Sequence, residues 1–149
     1  MINNHLVMDA MAMQQVKARY DEAKKNNDTE GMEAARKSYQ TLSRRIEKRG
    51  AGYAQVYRLY EEAVERGNEH IDLYNVIWEK DVEGLIQLLR ENGVEHFTFS
   101  STWSSAVEVA WLFTENGCTL EGLVEINGPH TNAFTGEREK VHGYLFAIH

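Results

Sequence analysis

The sequence predicts an α+β protein: an N-terminal antiparallel helical hairpin with a long second helix, packed on a small mixed four-stranded sheet with two crossover helices. Three observations predict it. Apolar residues in the first part of the chain recur at alternating three- and four-residue spacing, the seam of a coiled coil. Beyond Arg66, the pattern of helix end, glycine and strand occurs three times, in "VERGNEHIDL", "LRENGVEHFTF" and "FTENGCTLEGLVEI". Between these lie runs at Glu79 to Asn92 and Ser104 to Asn116, long enough to cross over between parallel strands.

The first helix carries Val16, Tyr20 and Ala23 on its seam, and the second resumes after "KKNNDTEG" with Met32, Ala35, Tyr39, Leu42 and Ile46. Asn26 or Asn27 suits the end of the first helix, and the side chain of Asp28 or Thr29 can accept one of the unpaired N–H groups that open the second. The same phase continues through Arg49, Tyr53, Val56, Tyr60 and Ala63, with Arg49 alone breaking the apolar register. Gly50 and Gly52 disfavour a helix interior, yet the unbroken phase predicts one helix from Thr29 to Arg66.

The three later glycines can take the left-handed conformation that releases a helix into a strand. "KVHGYLFAIH" closes the chain as another strand, reached through the loop "NGPHTNAFTGEREK" at 127–140, so the last pair is expected to be antiparallel. The helix after Ser105 is apolar nearly all round, which predicts cover on two sides, with the arm as second cover. The expected organisation is therefore a helical arm over 1–66 and an acidic α/β domain over 67–149, sharing one core.

With 149 residues the chain can bury a core, and its single cysteine, Cys118, permits no intrachain disulfide. The N-terminus lacks the pattern of a signal peptide, and no run of apolar residues is long enough to span a bilayer, so a cytoplasmic protein is expected. Residues 1–66 hold 12 Lys and Arg against 10 Asp and Glu, a net +2, whereas residues 67–149 hold 4 against 13, a net −9. Such an acidic surface repels nucleic acid and favours basic partners.

The hydroxyl cluster in "SSTWSS" is the leading candidate for a ligand site. Ser100, Ser101, Thr102, Ser104 and Ser105 would stand at a helix N-terminus, where unpaired N–H groups favour an anion. The plainer reading is that one hydroxyl caps the helix while Trp103 packs on the sheet. Neither a phosphate-loop glycine pattern nor a G-x-S-x-G elbow is present, and His70, His96, His130 and His142 are too scattered to define a triad, so no catalytic residue is assigned. His96 with Glu95, Glu121 and Glu125 could meet a metal only in a particular strand register, and solvent-facing charge accounts for them more simply; no metal and no cofactor is expected.

The basic run "SRRIEKR", with Arg44, Arg45, Lys48 and Arg49, reads as the solvated flank of a coiled coil rather than a nucleic-acid contact. Tyr39, Tyr53, Tyr57 and Tyr60, together with Met8, Met11 and Met13, suit either helix packing or an adaptable interface, and the arm is where a homodimer would form. The acidic residues Glu79, Asp81, Glu83, Glu121 and Glu125 are the candidates for contact with a basic protein.

From Tyr53 onward, "GNEHIDL", "VIWEKDV", "ENGVEHFTFSSTWSSAVEVAWLFTENGC", "LEGLVEING" and "KVHGYLFAI" resemble a family of uncharacterised small proteins from gut bacteria and their plasmids or conjugative elements. The resemblance covers about two-thirds of the chain and implies no residue roles. It implies a setting, in which small acidic proteins bind and block host defence proteins, as anti-CRISPR proteins do. The expected function is a non-enzymatic protein-binding module that turns an acidic surface to a basic partner. The alternative is a small anionic-ligand-binding protein or enzyme with its site at Ser100–Ser105.

Overall fold

The computed structural model describes residues 2–75 and 78–149. The chain divides into two compact units, Asn3–Tyr57 and a second built on Arg58–His149.

The first unit is a helical hairpin. Helix α1 spans Asn4–Lys25 and α2 spans Thr29–Lys48. Asn3 opens α1 by accepting from His5 N at 3.0 Å, and Asp28 opens α2 by accepting from Gly31 N at 3.0 Å. Between them Asn27 takes a left-handed backbone, φ 53°, as the asparagine pair predicts. The helices run antiparallel, because Asp9 meets Arg45 near one end, Tyr20 meets Arg36 midway, and a side chain at Gly31 would touch Ala23 beside the turn. Of the predicted seam, Val16, Ala23, Ala35, Leu42 and Ile46 are buried, whereas Tyr39 is exposed.

The helix expected to run unbroken from Thr29 to Arg66 is two helices. Helix α2 ends at Lys48, and α3 spans Ala51–Arg66. Gly50 sits between them at φ +119°, a conformation glycine alone takes without strain, so the penalty against glycine outweighed the continuous apolar phase.

The second unit carries the sheet. Strands β1 (Ile71–Asp72), β2 (His96–Phe99), β3 (Cys118–Thr131) and β4 (Arg138–Ile148) lie in the order β1-β2-β4-β3. Strands β1 and β2 are parallel, joined through a 3-10 turn at Glu79–Asp81 and helix α4 (Val82–Glu91). Helix α5 (Ala106–Glu115) carries the chain from β2 to β3 past the intervening β4, which is antiparallel to both. Gly67, Gly93 and Gly117 all have positive φ at the predicted helix ends.

The loop expected over 127–140 is mostly strand. Strand β3 runs to Thr131 and β4 begins at Arg138, leaving a short turn in which Asn132 Oδ1 accepts from Phe134 N at 2.8 Å and Thr135 N at 3.2 Å. A register shift between Asn127 and Thr131 absorbs the irregular sequence around Pro129.

Phe113 of α5 packs edge-on against Phe97, Phe99 and Phe146, with ring centroids 5.0, 5.0 and 5.3 Å away. This aromatic cluster defines the α5 side of the sheet. Strand alternation sends Asp72, Thr98 and Leu145 to the other side.

Candidate functional site

The predicted hydroxyl cluster is divided. Ser100 Oγ donates to Asp72 Oδ2 at 2.6 Å, and Ser101 Oγ accepts from Trp103 N at 3.3 Å. Ser105 occupies the cap position of α5 with a helical backbone and makes no side-chain cap bond, so the expected hydroxyl cap is absent; its own φ/ψ already belongs to the helix. Thr102 and Ser104 are exposed. Trp103, expected to pack on the sheet, is 59% exposed.

Sequence reasoning passed over the residue that organises this corner. Asp72 is a buried acid in β1, flanked by buried Ile71 and Leu73, and it accepts from Thr98 Oγ1 at 2.8 Å as well as from Ser100. Burial pushes its carboxyl above the usual range, while the Ser100 and Thr98 hydroxyls and the Arg66 charge pull against that shift. A lone acid inside an apolar strand was the available signal.

Asp72 and Ser100 form part of a cleft of about 540 Å³ that Thr102, Arg66, His130 and Lys140 also line. The Arg66 guanidinium lies 4.9 Å from the Tyr74 ring centroid and 3.7 Å from Glu62. Glu139 lines the cleft as well, so acids offset its cations. The Ser100 hydroxyl already donates to the Asp72 carboxylate, which fixes the direction of its proton. What the cleft can do is hydrogen-bond a polar group.

The acidic candidates fall into two places. Glu79, Asp81 and Glu83 are exposed on the connection after β1, at one end of the strand order, and Glu121 and Glu125 lie on β3 at the other. Glu121 Oε1 is 2.9 Å from His96 Nε2, and Glu125 Oε2 is 3.8 Å from His142 Nε2. His70 and His96 rings are 5.5 Å apart. Among the described residues no group of three or more His, Cys, Asp or Glu could hold a metal ion.

The α5 side of the sheet exposes apolar side chains alongside Glu125 and His142. Trp103, Val107 and Trp111 recur every fourth residue, through the turn in which Ala106 N donates to Trp103 O and along α5, and are 59%, 78% and 63% exposed. Trp111 Nε1 donates to Glu115 at 2.9 Å, which satisfies the indole N–H and fixes the ring. Leu120, Leu123 and Tyr144 are also exposed, and register places all three on the α5 side: Leu120 opposite Phe146, Leu123 opposite Tyr144. On α5 itself Val109 and Phe113 are buried, and Val107 and Trp111 on the opposite stripe are exposed.

In the first unit, Asp9 is fully buried on α1, 3.0 Å from Arg45 Nη2 and 2.9 Å from Arg49 Nε, and accepts from Tyr53 Oη at 2.7 Å. Arg49 therefore breaks the apolar register because it answers a buried charge. Arg45 and Arg49, read from sequence as solvated flank, are instead part of this ion cluster.

A family model described as "Domain of unknown function (DUF7698)" matches residues 55–148, which takes in the sheet, α4, α5 and most of α3. The chain belongs to the DUF7698 family. The family is uncharacterised, in agreement with the resemblance seen in the sequence. No curated protein and no solved structure matches the chain. In this DUF7698 protein, among the described residues, no helix is long and apolar enough to cross a membrane.

Proposed function

We propose that the protein is a non-enzymatic protein-binding module that meets a basic partner through the α5 side of its sheet. The observation that carries this reading is the exposed line Trp103, Val107, Trp111, with Leu123 and Tyr144 also exposed on the same side of the sheet. Exposed apolar groups concentrated on one side mark interaction surfaces, and tryptophan is among the residues that most often dominate binding energy. The net −9 of residues 67–149 supplies the steering toward a basic surface. Glu125 stands on this side, beside the apolar residues, and Glu79, Asp81 and Glu83 add acidic surface elsewhere. Blocking of a host defence protein would be one form of such binding; no feature of the fold favours that target, so the proposal is of binding alone.

The test is affinity purification at low and high salt, followed by repurification of the protein recovered and measurement of its affinity. Trp103→Ala with Trp111→Ala should abolish that affinity, while Phe134→Ala, an exposed aromatic on the β3–β4 turn, should leave it unchanged. Loss of binding in neither variant would remove the proposal.

A second reading, binding of a small anion, draws on Arg66, Lys140, Ser100 and Thr102 lining one cleft. Inorganic phosphate should then raise the thermal midpoint of the wild type and not of Arg66→Gln. Equal midpoints with and without phosphate would dismiss it.

A further inference from the structure

The outer edge of β3 is a long strand edge that, among the described residues, no other strand covers. Strand β3 is last in the order β1-β2-β4-β3 and runs over Cys118–Thr131. Its pairing with β4 has no bulge from Gly122 to Asn127, so this stretch is regular. One rung of the edge is already filled in a way that reveals its direction. Asn68 donates Nδ2 to Asn127 O and accepts from Asn127 N, both at 2.9 Å, so the Asn127 main chain points away from β4. In an antiparallel strand that direction repeats every second residue, so Glu125 and Leu123 also present their N–H and C=O outward. Among the described residues neither makes a main-chain bond outside the sheet.

Natural edges of this kind are protected by charge, bulges or cover. Here the charges are Glu121 and Glu125, which point to opposite faces: Glu121 to His96, on the Thr98 side, and Glu125 to His142, on the α5 side. A second copy pairing edge to edge would bring acidic strand against acidic strand, and like charges across a strand pair are destabilising. A basic strand meets the same edge favourably. On the α5 side it would set an apolar residue beside Leu123, which is 80% exposed, and a Lys or Arg two positions along beside Glu125.

We propose that the β3 edge binds an extended basic segment of a partner protein as a fifth strand, with main-chain bonds to Leu123 and Glu125 and a cation beside Glu125. The proposal rests on the reading of the protein as a basic-partner binder and names how the partner is held: backbone bonds supply affinity, and alternate side chains supply selectivity.

The test uses the full chain and the peptide acetyl-KTVTKTVTK-amide, which carries Lys and Val on one face and Thr on the other. Titration followed by amide chemical shifts should give saturable binding with the largest changes at Leu123 and Glu125, and the same peptide with Glu in place of Lys should not bind. Glu125→Gln should weaken binding and flatten its salt dependence. Glu125→Pro, which removes an outward N–H but no bond to β4, should weaken it by roughly tenfold or more. Two further peptides, N-methylated at odd or at even positions, need no change to the protein: only one of the two should lose binding, since only alternate amides face the edge. No saturable binding by the Lys peptide, equal binding by both methylated peptides, or a dimer of the chain that Glu125→Pro dissolves would each overturn the edge proposal. Those results leave the Trp103 and Trp111 test untouched, so failure of the edge and failure of the binding surface are separately visible.

Discussion

The side chain of Asn68 acts as a strand residue toward Asn127, exchanging two 2.9 Å bonds with its main chain, while Asn127 Nδ2 donates to Arg66 O at 2.7 Å. Two asparagines thereby tie the end of α3 to the outermost strand. Asn68→Ala would leave two half-buried main-chain groups of Asn127 with water as their only replacement partner. The expected loss is about 1–3 kcal/mol in chemical denaturation, with faster amide exchange at Asn127. Asn68→Asp, which keeps the acceptor and loses the donor, should fall between.

Asp9 gives the helical hairpin an acid limit. Burial opposes ionisation of the carboxyl, but the bonds from Arg49, Tyr53 and Arg45 outweigh it and hold the pKa below the ordinary value of 3.8. A group whose folded pKa is lowered contributes stability above its unfolded pKa and loses it as pH falls through the folded value. The stability difference between wild type and Asp9→Asn should therefore be constant near neutrality and shrink below about pH 3.8. Tyr53→Phe removes one donor from a buried carboxylate and should cost about 1–3 kcal/mol. Arg49→Met should be worse than Tyr53→Phe, because it removes charge as well as hydrogen bonds.

Asp72 has the opposite sign. Its folded pKa is raised by burial above 3.8, so its contribution is fully present below that pH and is lost as pH rises through the raised value. Asp72→Asn keeps an acceptor for Thr98 and Ser100 without the charge, and should gain stability relative to wild type as pH rises through that window. Ser100→Ala removes the largest counter-influence on the shift and should move the carboxyl resonance titration of Asp72 further up.

Two glycines should respond to alanine in opposite directions. Among the described residues, neither Gly50 nor Gly84 has an atom within 4 Å of an added Cβ, so backbone conformation decides the sign. Gly50→Ala forces alanine to φ +119° and should destabilise by about 1 kcal/mol or more, whereas Gly84→Ala within α4 should stabilise by roughly 0.5–1 kcal/mol. Thermal midpoints of the two variants check both.

Periodicity made the helices legible, and positive-φ glycines made their ends legible: Gly67, Gly93 and Gly117 each do what their place in the pattern implies. The break at Gly50 was hidden because Tyr53 and Val56 continue the phase of α2, and a hydrophobic pattern does not record a single left-handed residue. The 127–140 segment looked like a loop because its glycines, proline and asparagines are turn formers, yet bulged pairing tolerates them at an edge. Charge was the harder part. Asp9 and Asp72 are ordinary letters in the sequence, and only the three-dimensional approach of Arg49, Tyr53, Thr98 and Ser100 makes them buried acids. Pattern likewise could not separate the buried from the exposed side of α5, since both are apolar.

The binding surface itself is tested most directly by a photo-reactive amino acid placed at Val107, the most exposed residue of the line from Trp103 to Trp111. Irradiation in cells, followed by identification of the adduct and affinity measurement with the purified partner, should yield one basic protein whose affinity falls with added salt and with Trp111→Ala. Crosslinking at Val107 no greater than at Gly84, an open helical position on α4, would contradict the assignment of this face as the site of binding.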